Sequence, residues 1–248
     1  MATLYLVATP VGNLEDLTFR AARLLGEVDA LACEDTRHTR LLFARHGIRR
    51  PPLVFSCHEH NEAAAAARIV ELLDAGRSVA LCSNAGTPAL SDPGFHAVRR
   101  ALAAGHRVEA LPGACAAALA LVSSGLPSSS FTFKGFPPRR PGRRRRFLQL
   151  DCLSPHTLIF YESPRRLANF LSEARDVYGD RQGAVCLELT KKFERIERGP
   201  LAELAARFRD APPLGEATVV IAGCASVTEE LETEAGASES AGREQEDE

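Results

Sequence analysis

The segment Ser78-Val79-Ala80-Leu81-Cys82-Ser83-Asn84-Ala85-Gly86-Thr87-Pro88 runs from an apolar stretch straight into a polar turn of small residues. A second segment repeats the device near the start of the chain, where Leu4-Tyr5-Leu6 leads into Val7-Ala8-Thr9-Pro10-Val11-Gly12-Asn13-Leu14. Ser91-Asp92-Pro93-Gly94 comes close behind the first. A short apolar run bounded by Gly and Pro reads as a buried strand. In an open α/β sheet, ligands bind in the crevice at the carboxyl ends of the strands. Glycine lets backbone approach a ligand closely, and proline fixes the turn. Two such turns, far apart in sequence, predict one small-molecule site assembled from both.

Working outward, strand-like runs at Leu4–Ala8, Ala30–Cys33, Leu53–Phe55, Val79–Cys82 and Val108–Leu111 alternate with amphipathic stretches. The stretches fall near Asp16–Leu25, Thr36–Arg45, Asn61–Asp74 and Gly94–Ala104. Asp16 or Asn13 is suited to cap the first helix, and Gly76 and Gly105 stand where helices should stop. Alternation of this kind predicts an α/β fold with a mostly parallel sheet covered on both faces. A small-residue helix, Ala114–Ser124, then leads into a Ser/Gly/Pro linker. Beyond it come strands at Phe131–Phe133, Thr157–Tyr161, Ala184–Leu189 and Ala217–Ala222, with helices near Arg143–Leu150, Pro164–Tyr178 and Leu201–Asp210. The expected organisation is two α/β domains, residues 1–124 and 125–225, with the boundary near Gly125, and a tail at 226–248.

The formal charge of −2 hides an asymmetry: the tail contributes −8, which leaves the remainder at +6. Six arginines between Arg139 and Arg146 account for that excess. With proline before and within it, this stretch reads as an exposed, partly rigid loop. It is either the electrostatic footprint of a polyanionic partner or a solvated arginine loop. The tail is rich in Glu and Ser and has no aromatic residue, which predicts disorder. Seven scattered cysteines without zinc spacing predict a reduced, cytoplasmic chain with no metal. No signal peptide or membrane-spanning run is evident.

The chain resembles the tetrapyrrole methylase superfamily and, within it, the bacterial 16S rRNA cytidine 2′-O-methyltransferases of the small subunit methyltransferase I family. The resemblance is carried by Thr9–Asp16, Cys33-Glu34-Asp35-Thr36-Arg37-His38-Thr39, His58-Glu59-His60-Asn61-Glu62, Ala85-Gly86-Thr87-Pro88, Ser91–Gly94 and Leu111-Pro112-Gly113. Gly125–Ser128, Phe160-Tyr161-Glu162-Ser163-Pro164-Arg165-Arg166 and Glu188-Leu189-Thr190-Lys191 complete it, so that it spans Leu4 to about Gly223. It implies a two-domain homodimer holding S-adenosylmethionine in a cleft between the domains. The implied substrate is a cytidine in the decoding centre of 16S rRNA in the small ribosomal subunit. Asn84 stands where the family has Asp, and Leu187 where it has Arg.

Methyl transfer to a ribose hydroxyl needs aligned reactants and a route for the hydroxyl proton. The turns holding Thr9, Pro10, Gly12, Asn84, Ala85, Gly86, Asp92, Pro112, Ala114 and Ala116 are suited to the cofactor side, although each alone also reads as an ordinary tight turn. The resemblance adds Phe160, Tyr161, Leu189, Ala217 and Thr218. The RNA side draws on Asn13, Glu15, Asp16, Arg37, His38, His60, Asn61, Lys191 and the arginines Arg139, Arg140, Arg143, Arg144, Arg145 and Arg146. Glu34, Asp35, His58 and Lys191 are candidates for proton transfer, with a helix-capping role for Asp35 the alternative. Two further readings stay open: a methyltransferase acting on a tetrapyrrole precursor, and a ribosome-binding protein that has lost catalysis.

Overall fold

The computed structural model describes residues 2–225 and divides the chain into two compact units, Met1–Ala116 and Ala117 onward. The acidic tail expected to be disordered lies outside the described residues. The first unit contains β1 (Thr3–Leu6), α1 (Phe19–Glu27), β2 (Ala30–Cys33), α2 (Thr36–His46), β3 (Leu53–Ser56), α3 (Glu62–Asp74), β4 (Val79–Cys82), α4 (Phe95–Ala103) and β5 (Arg107–Ala110). Its sheet has the order β3-β2-β4-β1-β5, and every pairing in it is parallel.

That order decides which face each helix covers. The chain steps outward from β1 through β2 to β3, then returns through β4 and crosses to β5. With right-handed crossovers, the first two helices lie on one face and the next two on the other. The buried side chains agree. Leu31, Cys33, Ala80 and Cys82 pack with Leu24, Leu25, Leu42 and Phe43 from α1 and α2. Ala30, Ala32, Val79 and Leu81 pack with Ile69, Ala97 and Ala101 from α3 and α4. A strand buried on both faces is apolar throughout, which is why β2 and β4 are uninterrupted in sequence.

The first helix begins later than the sequence reading placed it. Thr18 caps α1, accepting from the Ala21 amide at 3.1 Å, while Asn13 caps a separate 3-10 turn at Leu14–Asp16. Asp16 therefore sits in the 3-10 turn and caps nothing at α1.

The second unit comprises α5 (Ala116–Ser124), β6 (Phe131–Phe133), α6 (Pro141–Gln149), β7 (Thr157–Glu162), α7 (Leu167–Tyr178), β8 (Gln182–Leu187), β9 (Arg195–Pro200), α8 (Leu201–Asp210) and β10 (Ala217–Ile221). Its sheet runs β6-β7-β10-β8-β9, parallel only between β6 and β7. The division between units precedes most of α5, whereas the sequence reading set it near Gly125. The Ala120 carbonyl accepts from Cys186 Sγ, and the Ser123 and Ser124 carbonyls accept from Arg198, which ties the helix to β8 and β9. Strand β9, Arg-Ile-Glu-Arg-Gly-Pro, is an edge strand whose charged sequence carries no apolar alternation.

Candidate functional site

In the first unit all five strands deliver their carboxyl ends to one edge. The turns after β1 and β4 lead to helices on opposite faces, so a crevice opens between them. They are joined there by a reciprocal backbone pair: the Thr9 amide donates to the Gly86 carbonyl and the Gly86 amide to the Thr9 carbonyl, each at 2.9 Å. Thr9 Oγ1 donates to the Ser83 carbonyl at 3.1 Å, and Thr87 Oγ1 to the Ala114 carbonyl at 3.0 Å. The turns after β1, β4 and β5 therefore form one hydrogen-bonded piece.

Glycine is required at two points of it. Gly86 has φ +77°, in the left-handed region. A Cβ on Gly113 would stand 2.7 Å from the Ala8 Cβ, closer than two carbons can approach. The result is a floor of backbone and small side chains, with Thr9, Pro10, Ser83, Asn84 and His38 lining a pocket beside Leu14. Asn84 donates its amide to Glu34 Oε2 at 3.2 Å, while its own Oδ1 is buried without a partner. A buried acceptor of this kind is a place where a ligand's N–H or O–H would be satisfied. Gly12, Pro112, Ala114 and Ala116 lie on the same turns, and only Thr9, Pro10 and Gly86 among the ten expected contacts here are buried.

Asp92 follows a strained stretch of loop, since Ala89 and Ser91 have φ +66° and +63°. Its carboxyl is pushed up to about 6, first by burial and then by the charge on Glu34, against a hydrogen bond from Ser83. The folded chain thus holds this proton more tightly than the unfolded chain, where Asp titrates near ~4. The stability this confers is complete below that value and is lost as pH rises through about 6. Melting temperature should therefore fall over this interval, and Asp92→Asn should flatten that part of the profile. An identical slope in the variant would remove Asp92 as the cause.

The remaining candidates are placed as follows. Asp35 caps α2, accepting from the Arg37 amide at 2.8 Å and from the Arg37 guanidinium at 3.2 and 3.0 Å. These bonds hold its carboxyl well below the usual range, at about 2. His38 is exposed on the first turn of α2. His58 and His60 belong to a turn, with ring centroids 6.0 Å apart, and His58 Nδ1 is buried without a partner. Asn61 closes that turn, accepting from the His58 amide at 2.8 Å and donating to the Ser56 carbonyl at 3.0 Å. Glu62 Oε1 accepts from the amides of Gly94 and His96 at 2.8 and 3.0 Å, capping α4. Asn13, Glu15 and Asp16 are exposed around the 3-10 turn.

In the second unit, the register sets Ala217 opposite both Glu162 and Leu187, and Thr218 opposite Tyr161 and Cys186. The ends of β7 and β8 and the start of β10 therefore lie side by side, which gathers Tyr161, Leu189, Ala217 and Thr218. Phe160 and Ala217 face away from Tyr161 and Thr218: Phe160 is fully buried, 5.2 Å from the Phe170 ring, so its ring is committed to the core, and Ala217 is buried in the same cluster. The Glu162 side chain is 0% exposed and accepts from Arg166 at 2.6 Å and from the Ser163 amide at 2.6 Å, fixing the turn after β7. Lys191 sits between Glu188 and Glu216, 2.9 Å from each. Burial alone would lower its pKa, but the two carboxylates outweigh that and raise it.

The arginine run is not a loop from Pro141 onward. Pro141 occupies the first turn of α6, where a missing N–H costs nothing and its fixed φ suits a helix. Arg144 is turned inward, its side chain 5% exposed, and donates to both oxygens of Glu173 at 2.7 and 2.6 Å. It is therefore withdrawn from any phosphate. Arg139, Arg140, Arg143, Arg145 and Arg146 are exposed, and none pairs with a carboxylate among the described residues. Arg40 and Arg50 were missed from sequence; they line a cavity with Arg37, Thr36 and Phe43. The i, i+3 spacing of Arg37 and Arg40 on one helix face was the signal to find them.

Among the described residues no helix is long and apolar enough to cross a membrane, and no group of three or more His, Cys, Asp or Glu is placed to hold a metal ion.

The model of the tetrapyrrole (corrin/porphyrin) methylases matches residues 3–205. The chain is 48% identical over 224 residues to ribosomal RNA small subunit methyltransferase I of Pseudomonas aeruginosa, covering 89% of this chain and 79% of the relative. It is 46% identical over 221 residues to the protein of the same name from Halalkalibacterium halodurans, covering 89% and 76%. Among solved structures, uroporphyrin-III C-methyltransferase of Thermus thermophilus in complex with S-adenosylhomocysteine superimposes with a TM-score of 0.62 at 20% identity, covering 91% of this chain and all of that one. This last likeness shows the fold.

Proposed function

The chain belongs to the tetrapyrrole methylase family and, within it, to the ribosomal RNA small subunit methyltransferase I proteins, and from that membership we propose that it transfers a methyl group from S-adenosylmethionine to small-subunit ribosomal RNA. The acceptor is the 2′-hydroxyl of a cytidine in the decoding centre of 16S rRNA, and the enzyme works in the cytoplasm as a homodimer. The observation that carries this reading is the single piece formed by Thr9, Gly86 and Ala114, floored by Gly113 against Ala8, in a chain so similar to proteins named for this RNA. Its backbone floor and the unsatisfied Asn84 Oδ1 fit a polar nucleoside cofactor.

Thr9, Pro10, Gly12, Asn84–Gly86, Asp92 and Pro112–Ala116 would hold the cofactor. When bound, it supplies an electrophilic methyl on a sulfonium, ready for in-line displacement. The chain's own task is then to orient the ribose, exclude water and accept the hydroxyl proton. Asp35, held near 2 by Arg37, is a weak base, and Lys191, kept protonated by two carboxylates, cannot accept a proton. Of the four candidates, Glu34 and His58 would then be the ones to take it. His38, His60, Arg37, Arg40 and the outward arginines of α6 would meet the RNA backbone, which fixes position more than sequence.

Calorimetry tests the first requirement. S-adenosylmethionine is expected to bind the purified chain with a stoichiometry of one per protomer. No detectable heat would contradict the proposal and favour a ribosome-binding protein without catalysis.

A further inference from the structure

An aromatic ladder stands at the carboxyl ends of β6 and β7. Phe133 lies with its centroid 4.8 Å from that of Tyr161, and Phe136 lies on Tyr161 at 5.4 Å with an interplanar angle of 59°. The first two rings are partly covered, but Phe136 is 58% exposed. Its position is fixed by backbone. The Lys134 amide donates to the Ile159 carbonyl at 2.8 Å and the Tyr161 amide to the Gly135 carbonyl at 3.0 Å, so the ladder of hydrogen bonds extends past the end of β6. Gly135, with φ +64°, then turns the chain, and the buried Pro137 anchors it on the far side. An exposed ring held this rigidly loses little freedom when something stacks on it. Three residues further on begins the run of outward arginines, Arg139 and Arg140 followed by Arg143, Arg145 and Arg146 on α6.

The geometry points to Phe136 as a stacking platform for an unpaired nucleobase of the RNA, with the adjacent arginines holding the flanking phosphates. This rests on the reading of the chain as an RNA methyltransferase and adds a residue that positions its substrate. An aromatic face beside a dense positive charge is the pairing that single-stranded nucleic acid recognises, because every base offers a π-face and every linkage a phosphate. A second copy of this chain would also cover an exposed ring, but the five unpaired cations beside it suit a polyanion better.

The test is methyl transfer to small ribosomal subunits that lack the modification, comparing the wild type with Phe136→Ala and Phe136→Trp. The alanine variant should raise the KM for subunits about tenfold, the usual scale for removing one stacked base. Its kcat, its affinity for S-adenosylmethionine, its melting temperature and its sedimentation should stay unchanged, and the tryptophan variant should restore the KM. An unchanged KM in an active Phe136→Ala protein would overturn this inference while leaving the proposed function intact. So would a loss confined to cofactor affinity, or dissociation of an oligomer. A wild type that transfers no methyl to these subunits would instead overturn the proposed function itself.

Discussion

Arg144→Ala is expected to cost about 3–5 kcal/mol of stability, the usual scale for breaking a buried ion pair by removing one partner. The bidentate contact with Glu173 is lost, and a carboxylate is left in a largely covered site without its cation. For a chain of this size the melting temperature should fall by about 10 °C. Adding Glu173→Ala to that variant should recover part of the loss, because the stranded charge is gone. The triple change Arg143→Ala, Arg145→Ala and Arg146→Ala should behave in the opposite way. Exposed side chains with no partner contribute within about 0.5 kcal/mol, so its melting temperature should hardly move. Its RNA affinity should fall and the salt dependence flatten, the log–log slope decreasing by about two. Thermal denaturation and salt titrations of RNA binding read both effects. A triple variant with an unaltered slope, or an Arg144→Ala protein as stable as the wild type, would contradict the division of this helix into one structural and several RNA-facing arginines.

Gly113→Ala should act on the other side of the reaction. The added methyl meets Ala8 at 2.7 Å, and alanine has no rotamer with which to yield, so backbone must move. Overpacking of this kind costs about 1–3 kcal/mol, and here the displaced backbone is the proposed cofactor floor. Affinity for S-adenosylmethionine should drop at least tenfold, about 1.4 kcal/mol. Calorimetry on folded protein measures it, with circular dichroism as the check on folding. Wild-type affinity in this variant would show that the turn after β5 does not form the floor.

The parallel sheet was legible because strands buried on two faces must be apolar at every position, as β2 and β4 are. The paired turns were legible because Gly and Pro at strand ends have few other uses. Strand β9 was not, since an edge strand satisfies its backbone without an apolar pattern and Arg195-Ile196-Glu197-Arg198 reads as a solvated loop. Arg144 could not be told from Arg143 or Arg145, because the difference between them is Glu173, a partner on another helix. Sequence likewise leaves Asn61 and Glu62 in a polar motif with two histidines, while their contacts make them braces for a turn and for α4. Residues whose roles come from their own chemistry could be named in advance; those whose roles come from a distant neighbour could not.

The central claim is tested most directly by one reaction. The purified chain is incubated with methyl-labelled S-adenosylmethionine and small ribosomal subunits lacking the modification, and the RNA is then digested to nucleosides. The account predicts label in 2′-O-methylcytidine. Label in a base-methylated nucleoside, or transfer to a tetrapyrrole precursor with none to the subunits, would contradict it.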